Sequence, residues 1–65
     1  MVDDPLPRIG APATRALQAA GIHRLADVAE HREDELAALH GVGPKAIRLL
    51  REALAERGLG FAAPG

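Results

Sequence analysis

The sequence predicts an all-α domain, a compact bundle of four to five short helices, and three observations predict it. Ala, Leu, Arg and Glu, all good helix formers, make up thirty-five of the sixty-five residues. Nothing alternates apolar and polar side chains as a half-buried strand does, whereas apolar residues recur at helical spacing. Proline and glycine fall where helices would begin and end. A chain of this length has room for one core. Fourteen of its hydrophobic residues are alanine, so nine leucines, three isoleucines and three valines supply most of the large-area burial. Without cysteine, neither a disulfide framework nor a cysteine-containing zinc site is open to it, and helix packing must carry the stability.

Each element follows from local chemistry. Residues 1 to 8, with Pro5, Pro7 and two aspartates, read as a flexible arm, residues 9 to 61 as the domain, and Ala62-Ala-Pro-Gly65 as a flexible tail. The first helix is expected to start near Pro12, approached by Gly10 and Ala11, because proline suits a first-turn position where its missing N–H is not needed. Ala13, Ala16, Leu17 and Ala20 share one side, Thr14, Arg15 and Gln18 face water, Gly21 stops the helix and Ile22 anchors the chain in the core. A short helix from about Leu25 to Glu30 turns Leu25, Val28 and Ala29 inward. A third begins near Glu33 with Leu36 and Leu39 as its apolar pair, and Glu33, Asp34 and Glu35 complement the dipole in its first turn. The last runs from Pro44 to about Arg57 and is stopped by Gly58. On it Ala46, Ile47, Leu49, Leu50, Ala53 and Leu54 occupy an arc of roughly 160°. Leu59 and Phe61 are expected to fold back over the core.

Charge and side-chain chemistry narrow the function. Eight basic against nine acidic residues give a net charge of −1, so any nucleic-acid binding must come from a local patch. No apolar run approaches the ~20 residues of a membrane span and the N-terminus is acidic, so a cytoplasmic protein with no membrane partner is expected. Serine and cysteine are absent and Thr14 is the sole threonine, which removes the usual nucleophiles. The acidic run Glu30 to Glu35 offers no carboxylate pair in an apolar pocket, so no enzyme is expected. His23, His31 and His40 are spaced by eight and nine residues, which fits no helical ligand pair, so no metal or cofactor is expected.

The informative stretch is Leu36 to Leu50, which reads as helix, tight Gly41-Val42-Gly43 turn, helix. Two glycines around one apolar residue allow dihedrals closed to other residues, while Val42 plugs the core. The next helix then starts at once, with its free N–H groups and positive dipole end beside Gly43. A phosphate can approach such a backbone, and Lys45 adds a charge-assisted contact.

Gly41-Val42-Gly43-Pro44-Lys45-Ala46 resembles the hairpin of the helix-hairpin-helix family, which implies gripping of the duplex DNA backbone across the minor groove without sequence specificity. A wider resemblance, from Ile9 to Phe61 without gaps, is to the C-terminal domain of the bacterial RNA polymerase α subunit. Its landmarks are Leu17 to Ile22, Leu25 to Val28, Glu33 to Leu36, the Gly-Val-Gly-Pro-Lys turn and Leu54 to Leu59. It implies tandem helix-hairpin-helix units, the first degenerate and spanning Ala16 to Ala29, in a free-standing copy of the polymerase tail. Gly43 and Lys45 match the family's phosphate-contacting glycine and lysine. Pro12 stands where the family places a minor-groove arginine, Arg15 at a DNA-touching asparagine, and Ala46 at a phosphate-contacting serine. The candidate DNA-binding residues are therefore Arg15, Gly41, Gly43, Pro44, Lys45, Ala46 and Arg48, with Arg8 as a possible addition from the arm.

Two functions stay open at this point. One is weak, salt-sensitive duplex binding by a monomer, related to transcription. The other is a protein-interaction module, with a transcription factor or polymerase partner, using the acidic surface around Glu30, Glu33, Asp34 and Glu35 after the DNA face has lapsed. For Arg48, the plain expectation is an ion pair with Glu52 four residues on.

Overall fold

The computed structural model describes residues 5–63. Four α-helices follow one another along the chain: α1 (Ala11–Ala19), α2 (Leu25–Val28), α3 (Glu33–Ala37) and α4 (Pro44–Glu56). Among the described residues the only β pairing is two isolated bridges, Pro5 with Arg24 and Arg32 with Ala62. The all-α class is as expected, and the starts of all four helices and the ends of α1, α2 and α4 agree with the sequence reading to within two residues, the range over which helix ends fray. α3 instead stops at Ala37, before Leu39, which packs half-buried against the core from the turn that follows.

Two glycine-containing turns join successive helices, one between α1 and α2 and one between α3 and α4. In both turns a glycine with positive φ, Gly21 at 83° and Gly41 at 96°, precedes a buried aliphatic residue, Ile22 or Val42. α1 ends in a Schellman arrangement, in which the Ile22 amide donates to the Leu17 carbonyl (2.8 Å) and the Gly21 amide to that of Gln18 (3.0 Å). α4 ends the same way: Leu59 donates to Leu54 (2.8 Å), Gly58 to Ala55 (3.0 Å), and Gly58 takes φ 70°.

Both short helices, α2 and α3, pack on α4. The centre of the core is Leu17, Ile22, Val28, Leu36, Leu50 and Leu54, all but sealed from solvent, with Ala13, Leu25, Val42, Ala46 and Ile47 around them. On α4 the expected face is the one that turns inward, with Leu49 and Ala53 half-buried at its edges. On α1, Ala13 and Leu17 are buried but Ala20 is exposed, because the helix ends there and the chain turns away through Gly21.

The chain ends depart from expectation. From Pro5 the N-terminal segment lies against the body: Pro5 bridges Arg24 and half-buried Leu6 packs on the core, so residues 5 to 8 are not a free arm. Residues 1–4 and 64–65, also expected to be flexible, lie outside the described residues. At the other end the Ala62 amide donates to the His31 carbonyl (2.8 Å), which seats Phe61 half-buried against the core. Leu59 does not fold back and stays 44% exposed. It occupies the position after Gly58 that Ile22 occupies after Gly21, but among the described residues no helix covers it.

Gly41 and Gly43 make a testable contrast. A Cβ on Gly41 would lie 2.8 Å from the Pro12 carbonyl oxygen at a φ of 96°, whereas one on Gly43 would meet nothing within 4 Å. Gly41→Ala is expected to destabilise the fold by about 1–3 kcal/mol. Gly43→Ala is expected to stay within about 0.5 kcal/mol of the parent, since lost chain entropy and a poorer N-cap oppose each other. Urea unfolding midpoints measure both, and equal midpoints for the two variants would contradict the close approach at Gly41.

Candidate functional site

The turn between α3 and α4 presents a set of unpartnered backbone hydrogen-bond donors among the described residues. Val42, whose amide donates to the Leu39 carbonyl (3.1 Å), is buried and pins the turn to the core. Gly43 is the N-cap of α4 with extended dihedrals (φ −100°, ψ 179°) and no side chain to cap the helix, and Pro44 opens the first turn. The first protein acceptor used at this end is the Gly43 carbonyl, taken by the Ile47 amide (3.1 Å). The amides of Gly43, Lys45 and Ala46 have no acceptor among the described residues. These are the orphan donors of a helix start, facing the positive end of its dipole.

The two glycines have different jobs. From sequence both are expected to take dihedrals closed to other residues, yet only Gly41 does; the φ of Gly43 is open to any residue. Gly41 is needed because the Pro12 backbone lies where its side chain would be. Gly43 leaves open space in front of the amides. Ala46 is buried, so its side chain belongs to the core and only its backbone N–H is available at this surface.

Around these amides lies an open groove between α3 and α4, lined by Glu33 and Ala37 on one side and by Gly43, Lys45, Ile47, Arg48 and Arg51 on the other. Lys45 and Arg48 are exposed. Contact between Gly41 and Pro12 sets the first turn of α1 beside the hairpin, with exposed Arg15 one residue triplet further along α1.

The cations divide into two groups. Arg24 pairs with Asp27 (3.7 Å), Arg32 with Asp34 (3.5 Å) and Arg51 with Glu33, and Arg57 also has a partner. Arg8, Arg15, Lys45 and Arg48 have neither an ion pair nor a side-chain hydrogen bond among the described residues. The expected Arg48–Glu52 pair is not formed. Sequence reading also misses the Glu33–Arg51 pair, which spans eighteen positions and joins two helices, so no local spacing signals it.

The acidic surface is largely self-paired. Glu33 holds Arg51, Asp34 meets Arg32, and Glu35 bonds the His31 ring Nδ1 (3.2 Å). Among the described residues no group of three or more His, Asp or Glu converges as a metal ion would require, and no helix is long and apolar enough to cross a membrane. The chain matches no protein-family model, and no curated protein matches it.

Among the described residues two carboxylates, Asp27 and Glu35, are held below their ordinary range. Asp27 is held down first by the His23 amide (3.1 Å), then by the charge and amide of Arg24 (3.2 Å). Glu35 is held down first by the His31 side chain, then by the Arg32 amide (3.3 Å). Each acid sits three residues into its helix and reaches back to the preceding backbone, the carboxylate half of a capping box. A depressed folded-state pKa contributes stability that is present above the unfolded value and lost as pH falls through the folded one. Asp27→Asn and Glu35→Gln should therefore lower the melting temperature at neutral pH and flatten its fall below about pH 4. Thermal melts across that range test this, and an Asp27→Asn variant with the parent's full acid sensitivity would contradict the assignment.

Proposed function

We propose that this chain is a small non-enzymatic DNA-binding protein that grips the duplex backbone across the minor groove through the Gly41–Lys45 hairpin. One observation carries the reading: the unpartnered amides of Gly43, Lys45 and Ala46 open beside two of the four cations that lack partners among the described residues, Lys45 and Arg48. A third, Arg15, projects from the helix whose first turn abuts the hairpin. An anion with several acceptor oxygens suits such a set, and phosphate at a helix start is its natural ligand.

The paired construction of the fold supports tandem helix-hairpin-helix units. Each turn uses a glycine of positive φ followed by a buried aliphatic residue, and the first pair, with only four residues in α2, is the degenerate one. The resemblance to the polymerase α C-terminal domain is what suggests a role in bacterial transcription, and the proposal is of a monomer acting in the cytoplasm, on the nucleoid. Pro12 offers no guanidinium to the minor groove, so the reading is of backbone contact with little sequence preference. A protein partner at Glu30 to Glu35 is the competing reading. Pairing of Glu33, Asp34 and Glu35 within the chain weighs against it.

Amide chemical-shift titration of the labelled protein with A·T-rich and G·C-rich duplexes tests the proposal. Shifts are expected at Gly41 to Arg48 and near Arg15, similar for both duplexes and lost at raised salt. Contacts with three or four phosphates give a slope of log affinity on log salt of about −2.7 to −3.6. Lys45→Ala should weaken binding several-fold and reduce that slope by about 0.9, while Glu52→Ala leaves it unchanged. Absence of shifts at low salt would overturn duplex binding and turn the search to the acidic face.

A further inference from the structure

We propose that Glu33 is a built-in competitor for phosphate at the hairpin: its carboxylate holds Arg51 out of DNA contact and so limits how many phosphates the groove engages. This inference rests on duplex binding at the hairpin and adds to it a residue that sets the strength of that binding.

Three observations carry it. Arg51 lines the same groove as Gly43, Lys45 and Arg48. Lys45, Arg48 and Arg51 follow one another every three residues on α4, so Arg51 lies about 9 Å along the helix axis from Lys45 and one step beyond Arg48. It is a continuation of the same cationic row, yet it alone of the three is occupied, by a carboxylate that α3 projects across the groove. Glu33 is the one acid among the groove's lining residues.

The chemistry of the pair suits a competitor better than a structural strut. Both side chains are about half exposed, at 55% for Arg51 and 45% for Glu33, and the partners of exposed ion pairs are weakly held. A guanidinium accepts a phosphate with the same fork it offers a carboxylate. Glu33 thus acts twice against a phosphate backbone, by occupying Arg51 and by placing negative charge in the groove. With Glu33 removed, Arg51 becomes a further phosphate contact.

Duplex titrations of the full chain across a salt series test this. Glu33→Ala is expected to bind about tenfold more tightly than the parent at about 50 mM salt, with a slope steeper by about 0.9, the signature of one more phosphate. Asp34→Ala, which removes the same charge from the same helix turn but outside the groove, should change affinity little. Arg51→Ala should weaken binding in the parent, because it leaves the Glu33 carboxylate unpaired in the groove, and the Glu33→Ala/Arg51→Ala double variant should return to about the parent's affinity. Equal gains from Asp34→Ala and Glu33→Ala, a gain that survives Arg51→Ala, or no gain at all would each overturn the inference. Lys45→Ala separates this from failure of the underlying reading: if it weakens binding while Glu33→Ala does nothing, the hairpin binds DNA and Glu33 is no competitor. If neither variant changes affinity, hairpin binding itself is overturned.

Discussion

At the turn between α3 and α4 the backbone of Gly41 passes so close to the Pro12 carbonyl that no side chain fits between them, and the rest of the molecule's arrangement depends on that approach. It ties the start of α1 to the hairpin across some thirty positions of sequence. Val42 enters the core one residue later, and Gly43 then begins α4 with its amides uncovered. A bulkier residue at position 41 would push the start of α1 and the hairpin apart. The close contact therefore serves both packing and the candidate site.

Ion pairing sorts the charges on this nearly neutral protein. Carboxylates at the starts of α2 and α3 cap their own helices and hold Arg24 and Arg32 locally, through spacings of two or three residues. Such exposed pairs add little to stability, but they decide which cations remain available to a ligand. Among the described residues, the cations left without a partner are Arg8 on the N-terminal segment, Arg15 on α1, and Lys45 and Arg48 on α4. A net charge near zero is thus compatible with a local basic surface, because the negative charge is spent elsewhere on the molecule. Glu33 is the exception, since its partner lies on the groove itself.

The two Schellman turns show how one local device has different outcomes in different surroundings. After Gly21 the chain continues into α2, and Ile22 is enclosed by elements that follow. After Gly58 the described chain is not helical; Phe61, fixed through the backbone bond of Ala62 to His31, packs on the core, and Leu59 is left outside. Identical backbone hydrogen bonding therefore does not decide burial. What decides it is which chain segment is on hand to close the apolar surface.

By itself the sequence determined the helices and their starts, the inward face of α4, the buried anchors Ile22 and Val42, and the residues of the hairpin turn, but not the early end of α3 at Ala37. All of these rest on interactions between neighbours in the chain: three- and four-residue periodicity, proline at helix starts, glycine at helix ends. Tertiary structure alone decided the rest. It separated the conformational role of Gly41 from the open face of Gly43, because only the approach of Pro12 distinguishes them. It buried the side chain of Ala46, drew Leu6 onto the core and left Leu59 exposed. It also gave Arg51 to Glu33 and left Arg48 without Glu52, since an ion pair forms where packing brings two side chains together, and helical spacing offers only one of the available partners.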